Sequence, residues 1–295
     1  MSKFIVTGAT GFIGSHLCKE LLNRNHKVAI ICRENSNMQL LNDIMDKIEI
    51  FYFDDNLDNM INFFIQTKAD GVFHIAGLTI IEHKPNDINS LIDSNIKFST
   101  QILEAMKVSG MKKIINTGTC LQHYSNEKYN PSCLYAATKK AFEDILKYYV
   151  EAYKFQSITL TLFNVYGKKD FGKRLLSVIN HAAINNLPLE MTLGYQKIDL
   201  VYIDDVVDAY IYAFELFTKN FFENNQCYGV SSKQVVTLRE LVSIFEEENK
   251  VSLNIKWGYK HYRFRENFIP WSDYTPLPGW NSKVTLQEGV KKIYK

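Results

Sequence analysis

The sequence predicts a doubly wound α/β sheet of the Rossmann type carrying a smaller C-terminal lobe, and three observations lead there. Short β-branched and aromatic runs alternate with longer amphipathic stretches through the first half, as a parallel sheet with crossover helices requires. A glycine-rich turn, Thr7-Gly8-Ala9-Thr10-Gly11-Phe12-Ile13-Gly14, joins the first run to the first amphipathic stretch, where such folds receive a dinucleotide. After Gly167 the alternation loosens into a Lys/Arg-rich loop and a tail without a steady period.

In order, strands are expected at 4–6, 28–31, 48–53, 71–75, 113–116 and 157–163, with helices at 12–23, 58–67, 86–108 and 134–153. In the last of these, Phe142, Ile145, Leu146 and Tyr149 recur at helical spacing. Further on come a helix near 175–185, a strand at 199–203 with Asp204 as N-cap, and a helix at 238–249. The segment 268–280, rich in Pro and aromatic residues, shows no period. The expected cofactor domain is therefore 1–167 with 199–230 returning to it. The expected substrate lobe is 168–198 with 231–295.

Composition narrows the function. The chain has 295 residues, 46% hydrophobic and 22% charged, enough for a folded chain of this size to bury roughly three-quarters of its surface. Its 34 Lys and Arg nearly cancel 32 Asp and Glu, a formal charge of +2, so the field of a nucleic-acid binder is missing. The cluster Lys168, Lys169, Lys173 and Arg174 reads as a solvated loop. Five scattered cysteines without a C-x-x-C pair speak against a disulfide framework or zinc knuckle and for a reducing cytoplasm. The histidines show no metal spacing, and His74 and His123 read as pocket lining. The apolar run at 4–6 is too short for a signal-peptide core, and no stretch is long enough to span a membrane.

Two motifs carry chemistry. Glycines at the first turn let the backbone approach a pyrophosphate, and the helix that follows offers unpaired N–H groups to it. The second strand runs into Ile31-Cys32-Arg33-Glu34, where a carboxylate would read the ribose hydroxyls of NAD; Arg33 instead suits a 2′-phosphate and favours NADP, with Glu34 arguing the other way. Tyr135 and Lys139 stand four apart on the 134–153 helix, so they share a face, and an ammonium there stabilises a phenolate. Alone, Tyr-x-x-x-Lys is common on surface helices. Thr119, in Thr117-Gly118-Thr119 after the preceding strand, places a hydroxyl toward the same substrate oxygen.

Together these segments resemble the extended short-chain dehydrogenase/reductase family. T-G-x-x-G-x-x-G appears as Thr7 to Gly14, followed by His74-Ile75-Ala76-Gly77, Asn95, Phe163-Asn164-Val165-Tyr166-Gly167, Asp199 to Asp205 and Pro278-Gly279-Trp280. The resemblance implies catalysis by Thr119, Tyr135 and Lys139. It implies cofactor contacts from Gly8, Thr10, Gly11, Phe12, Ile13, Gly14, Arg33, Asp55, Ala76, Gly77 and Asn95, with Tyr135 and Lys139. It implies substrate contacts from Thr79, Thr119, Cys120 and Asn164, with Arg263 and Arg265 gripping a nucleotide diphosphate. A homodimer through the 86–108 and 134–153 helices follows from resemblance alone. One departure is Ile198, where family members usually place an Arg before the Asp199-Leu200 pair.

Dehydratases of the family place Asp-Glu directly after the catalytic Thr; here Cys120-Leu121 follow, which removes the acid pair dehydration needs. Epimerases recycle bound NAD and are poorly served by Arg33. The resemblance is nearest the nucleotide-sugar 4-ketoreductase branch of CDP-abequose and CDP-paratose synthases, implying NADPH-dependent reduction of a C4 ketone in surface-polysaccharide sugar synthesis. The alternatives kept open are a dTDP-4-keto-6-deoxyhexose reductase, an NAD-dependent 4-epimerase and a non-catalytic NADP-sensing protein.

Overall fold

The structure, a computed structural model, describes residues 1–172, 174–219 and 224–294. The strands are β1 (Lys3–Thr7), β2 (Lys27–Cys32), β3 (Ile48–Tyr52), β4 (Gly71–His74), β5 (Lys113–Thr119), β6 (Gln156–Leu162), β7 (Asn164–Tyr166), β8 (Leu189–Met191), β9 (Lys197–Tyr202), β10 (Gln226–Val230), β11 (Val235–Thr237) and β12 (Ile255–Trp257). The helices are α1 (Phe12–Asn23), α2 (Leu57–Thr67), α3 (Ile88–Ile92), α4 (Phe98–Ser109), α5 (Leu134–Tyr153), α6 (Leu175–Asn185), α7 (Ile203–Leu216), α8 (Leu238–Asn249) and α9 (Leu286–Ile293).

The chain divides into two compact units. The first comprises Met1–Thr119, Cys133–Thr161 and Val207–Tyr228. It is built on the seven-stranded sheet, in the order β10-β6-β5-β4-β1-β2-β3, as the doubly wound reading requires. β1 pairs in parallel with both β2 and β4, Val6 lying opposite Ile30 and Phe73. These central strands are buried on both faces, which is why they read as unbroken apolar runs. Helices α2, α4 and α5 cover one face: Phe63, Phe64, Ile102, Met106, Phe142 and Leu146 form a single core with Ile5, Val72 and Ile114. The chain leaves β1 in one direction and β4 in the other, so the strand order reverses between them, the place where open sheets of this kind bind ligands.

Three sequence expectations fail here for physical reasons. The helix expected at 86–108 is broken: after α3 the backbone widens into a π-helical turn, Asp93–Lys97, before α4 resumes. Asp204 is not an N-cap, because α7 already begins at Ile203 and both Asp204 and Asp205 lie in its first turn. Asp205 instead accepts hydrogen bonds from the backbone N–H groups of Lys283 and Val284, at 3.1 and 2.9 Å. The preceding strand also starts two residues early, at Lys197, because β9 finds a partner there in β11.

The second unit comprises Cys120–Ser132, Leu162–Val206 and Gly229–Lys295. A three-stranded sheet, β11-β9-β7, and a two-stranded one, β12-β8, support it. Helix α8 opens with a capping box between Thr237 and Glu240, and α9 with one between Thr285 and Glu288, each worth about 1 kcal/mol. Segment 268–280 forms neither helix nor strand, and is pinned where Asn126 Oδ1 accepts the Ser272 N–H at 2.7 Å. Of the basic loop, Lys168, Lys169 and Arg174 are exposed, Arg174 pairing with Asp170; Lys173 lies outside the described residues.

Candidate active site

The glycine turn shows why side chains are excluded from it. Gly8 has φ +70° and a methyl group on it would stand 2.7 Å from the Ala76 nitrogen; one on Gly14 would fall on the Gly8 carbonyl oxygen. Gly11 donates its N–H to Gly8 O at 3.1 Å and heads α1 with no side-chain cap and no acidic residue in the first turn. The opening N–H groups and the positive end of the helix dipole are left for an anion, which fits a dinucleotide pyrophosphate. Phe12 is buried, and Thr10 and Ile13 are half-buried beside it.

At the end of β2, Cys32 is buried and Arg33 exposed, its backbone N–H bonded to Ser36 Oγ at 3.0 Å and its side chain in no ion pair among the described residues. Asp55, after β3, lies exposed with φ +65° and binds Lys97 Nζ at 2.9 and 3.1 Å.

Beyond β4 the chain is fastened by side chains. Thr7 Oγ1 accepts the Ala76 N–H at 3.2 Å. Asn95, buried in the π-helical turn, accepts the Leu78 N–H at 2.7 Å and donates to Leu78 O and Thr138 Oγ1 at 3.0 Å each. Both amide hydrogens and the carbonyl oxygen of Asn95 thus hold this loop, the wall on which the expected cofactor contacts Ala76 and Gly77 also stand. Gly77 packs against it, a methyl there lying 3.3 Å from Asn95 Oδ1. Thr79 is exposed one residue past the fastened Leu78.

Thr119 ends β5, and Tyr135 and Lys139 lie in the first turns of α5, in the same unit as the glycine turn. Lys139 is 2% exposed, yet its ammonium stands 3.9 Å from where a Gly77 methyl would be. Burial pulls its pKa down to about 8, with Glu143 pulling the other way. Underneath lies His74, no pocket lining but fully buried: its ring bonds Thr7 Oγ1 and Ser99 Oγ at 2.9 Å each. Burial, with the Lys139 charge, holds His74 down at about 3, so it is neutral. Thr117 Oγ1 donates to His74 O at 2.8 Å, so the contact of 2.6 Å between Thr117 Oγ1 and Tyr210 has the phenol as donor. Ser99 and Tyr210 stand in no motif of the sequence, while Thr7, Thr117 and Thr138 enter only as members of segments whose expected chemistry other residues carry. Only their alternation with apolar neighbours on buried strands and helices hinted at inward polar groups.

In the second unit, Asn164 donates to Asp199 O at 3.1 Å, and Cys120 is half-exposed. Arg263 and Arg265 are not equivalent. Arg263 is exposed and faces Glu266 at 3.8 Å. Arg265 donates to Asn130, its guanidinium lies 4.1 Å from the Tyr124 ring centroid, and its Nε is buried without a partner. Of the two arginines expected at a diphosphate, Arg265 is thus the one held among other side chains and Arg263 the one left at the surface. His123 stacks on Trp271 at 3.6 Å, and the indole N–H is buried and unbonded. Tyr124, Asn130 and Trp271 were also missed. Among the described residues no group of His, Cys, Asp and Glu is arranged to hold a metal, and no helix is long and apolar enough to cross a membrane.

A parallel sheet with a glycine turn at its switch point and a Thr, Tyr and Lys brought to the same unit defines a nucleotide-dependent oxidoreductase class, and comparison makes the family explicit. The chain belongs to the NAD dependent epimerase/dehydratase family, whose model matches residues 4–221. It is 26% identical to CDP-abequose synthase of Salmonella muenchen, over 99% of this chain and 96% of that one. It is 26% identical to a putative UDP-glucose 4-epimerase of Methanocaldococcus jannaschii, over 98% of this chain and 96% of the relative. In structure it is similar to the Thermus thermophilus UDP-glucose 4-epimerase in complex with NAD, with a TM-score of 0.83, 21% identity, and 99% and 97% of the two chains covered.

Proposed function

We propose that this protein is an NADPH-dependent reductase of the C4 ketone of a nucleotide-linked 4-keto-6-deoxy or 3,6-dideoxy hexose, of the CDP-abequose synthase kind. The observation that carries the reading is the end of β2, where Arg33 stands exposed and in no ion pair among the described residues, at the position where this fold is expected to read the adenosine ribose. A cation there suits a 2′-phosphate, and a cofactor that arrives charged and leaves spent suits a net reduction. The full-length similarity to a CDP-abequose synthase supports the same reading.

The residues divide the work. The α1 N-terminus and Gly8, Gly11 and Gly14 hold the pyrophosphate, and Arg33 the 2′-phosphate. NADPH supplies the hydride. Tyr135 gives its phenolic proton to the C4 oxygen as the ketone becomes an alcohol, then regains one from solvent. Lys139 holds the nicotinamide ribose and by its charge favours the phenolate, and Thr119 donates a hydrogen bond to the same oxygen. Arg265 grips the substrate diphosphate in the second unit, which serves as the nucleotide-sugar lobe. The working assembly is a homodimer through α4 and α5, whose surfaces leave Val108 and Tyr148 exposed.

An NAD-dependent 4-epimerase is the second reading, favoured by the similarity to the putative epimerase. NADPH oxidation measured against a panel of keto-sugar nucleotides separates them. Stoichiometric loss of NADPH with a 4-keto-6-deoxy sugar is expected. Interconversion of C4 epimers with no net cofactor oxidation would establish the epimerase instead, and silence toward every sugar with NADPH bound would leave only a sensor.

A further inference from the structure

Glu143 has no part in the assignments above, yet it occupies a place few surface glutamates reach. It lies one helical turn beyond Lys139 on α5, hence on the same face, with its side chain 9% exposed. The room for it is made by β5: a methyl on Gly118 would stand 3.1 Å from Glu143 Oε1 and crowd Thr159 and Thr161 on β6 at 3.1 and 3.2 Å. A carboxylate in that setting is costly unless its charge is used.

We infer that Glu143 is a positioning residue for Lys139: its carboxylate, lodged in the space left open by Gly118, holds the buried lysine in its charged form beside the cofactor wall. This rests on the catalytic reading of Lys139 proposed above.

The charges around the pair decide the sign. Lys139 faces Tyr135 on its own helix and neutral His74 from β4. Burial alone drives Lys139 toward the neutral amine, and Glu143 is the group that opposes it. Glu143 faces Lys140 Nζ at 3.5 Å, which Asp144 shares at 3.1 Å. From β10 it faces Cys227, whose thiol is pushed up to about 11 by burial and then by Glu143 itself, so it stays neutral. Lys140 is a second cation beside Glu143, and it sits nearer the surface. Removing the anion must lower the pKa of Lys139 and of the Tyr135 phenol together. Removing the Lys140 cation must raise both.

The measurements are the alkaline limb of the kcat/KM–pH profile and the titration of Lys139 followed by NMR of 13Cε-lysine-labelled protein, its signal assigned by loss in Lys139→Met. In Glu143→Gln both should move down by about one pH unit, the scale for loss of one close opposite charge. Glu143→Asp, which keeps the charge, should recover much of the shift. Lys140→Met, an outer-rim change that leaves the core intact, should move the limb up by a few tenths of a unit. Superimposable profiles for wild type and Glu143→Gln would reduce Glu143 to a partner of Lys140. Should Glu143→Gln fail to fold, an unmoved or lowered limb in Lys140→Met overturns the inference. If the wild type oxidises no NADPH, the reductase proposal falls, while the Lys139 titration still decides the role of Glu143.

Discussion

Tyr135 is one hydroxyl group away from phenylalanine, and that difference tests the chemistry. Tyr135→Phe should cut kcat about a hundredfold or more, the scale of acid–base catalysis, while NADPH affinity by fluorescence titration stays near wild type. Arg33→Ala should weaken NADPH binding by about 1.5–3 kcal/mol, the value of a hydrogen bond to a charged group, and leave NADH nearly untouched; equal losses for both, read by calorimetry, would remove Arg33 from the 2′-phosphate. The two arginines of the second unit should part company. Arg265→Ala should raise KM for the sugar nucleotide severalfold, whereas Arg263→Ala, which frees only a surface contact with Glu266, should change it little. At this scale the glycine turn was legible because glycines at fixed offsets mark a backbone that admits no side chain. Asn130 and Tyr124 were not, since they meet Arg265 across more than a hundred residues of chain and nothing local to them marks the meeting.

The element that most surprises is the π-helical turn at Asp93–Lys97. Sequence reads this stretch as ordinary helix because Asn95 carries no helix-breaking signal and its neighbours keep the apolar period. The widening comes from a tertiary demand: Asn95 must reach both Leu78 and Thr138. Asn95→Leu keeps the volume and deletes the amide. It leaves the Leu78 N–H and carbonyl without partners and should cost about 1–3 kcal/mol by urea denaturation. Backbone exchange at Leu78 should quicken in parallel, and cofactor affinity should fall. Normal exchange there would mean the loop is held by Thr7 and Gly77 alone. The helices at 12–23 and 134–153 were legible to the residue, and those near 175–185 and about 238–249 in place, because long amphipathic periods end in backbone that turns left-handed or non-helical just beyond them.

For the molecule as a whole, two buried bases tie stability to pH. His74 sits near 3 when folded against about 6.5 when unfolded. Between those values the unfolded chain binds the extra proton, so stability is complete above pH 6.5 and declines as pH falls toward 3. One such proton gives a slope of about 1.4 kcal/mol per pH unit. His26, also lowered first by burial, adds to it in the same direction. The urea midpoint should therefore drop between pH 6.5 and 5, before most carboxylates titrate; a flat midpoint there would contradict a neutral, buried His74. Lys139 acts with the same sign in the alkaline range: its folded pKa of about 8 lies below its ordinary value, so the fold is strained at neutral pH and relieved as pH rises from 8 to 10.5. Lys139→Met should raise the melting temperature while abolishing turnover, the trade expected when a catalytic group is held against its solvation.

The outermost strand of the large sheet carries a consequence in time. β6 ends at Leu162, but its neighbour β10 begins at Gln226, so during synthesis the ribosome must add more than 60 residues before the strand that covers β6 begins. At about 5–20 residues per second that is roughly 3–13 s. Through that interval a nascent chain shows a long apolar strand edge, the kind of surface on which other chains add themselves. Translation of this protein thus has a vulnerable window written into its topology. Slowing the ribosome between codons 163 and 225 should lower soluble yield, whereas slowing it after codon 231 should not.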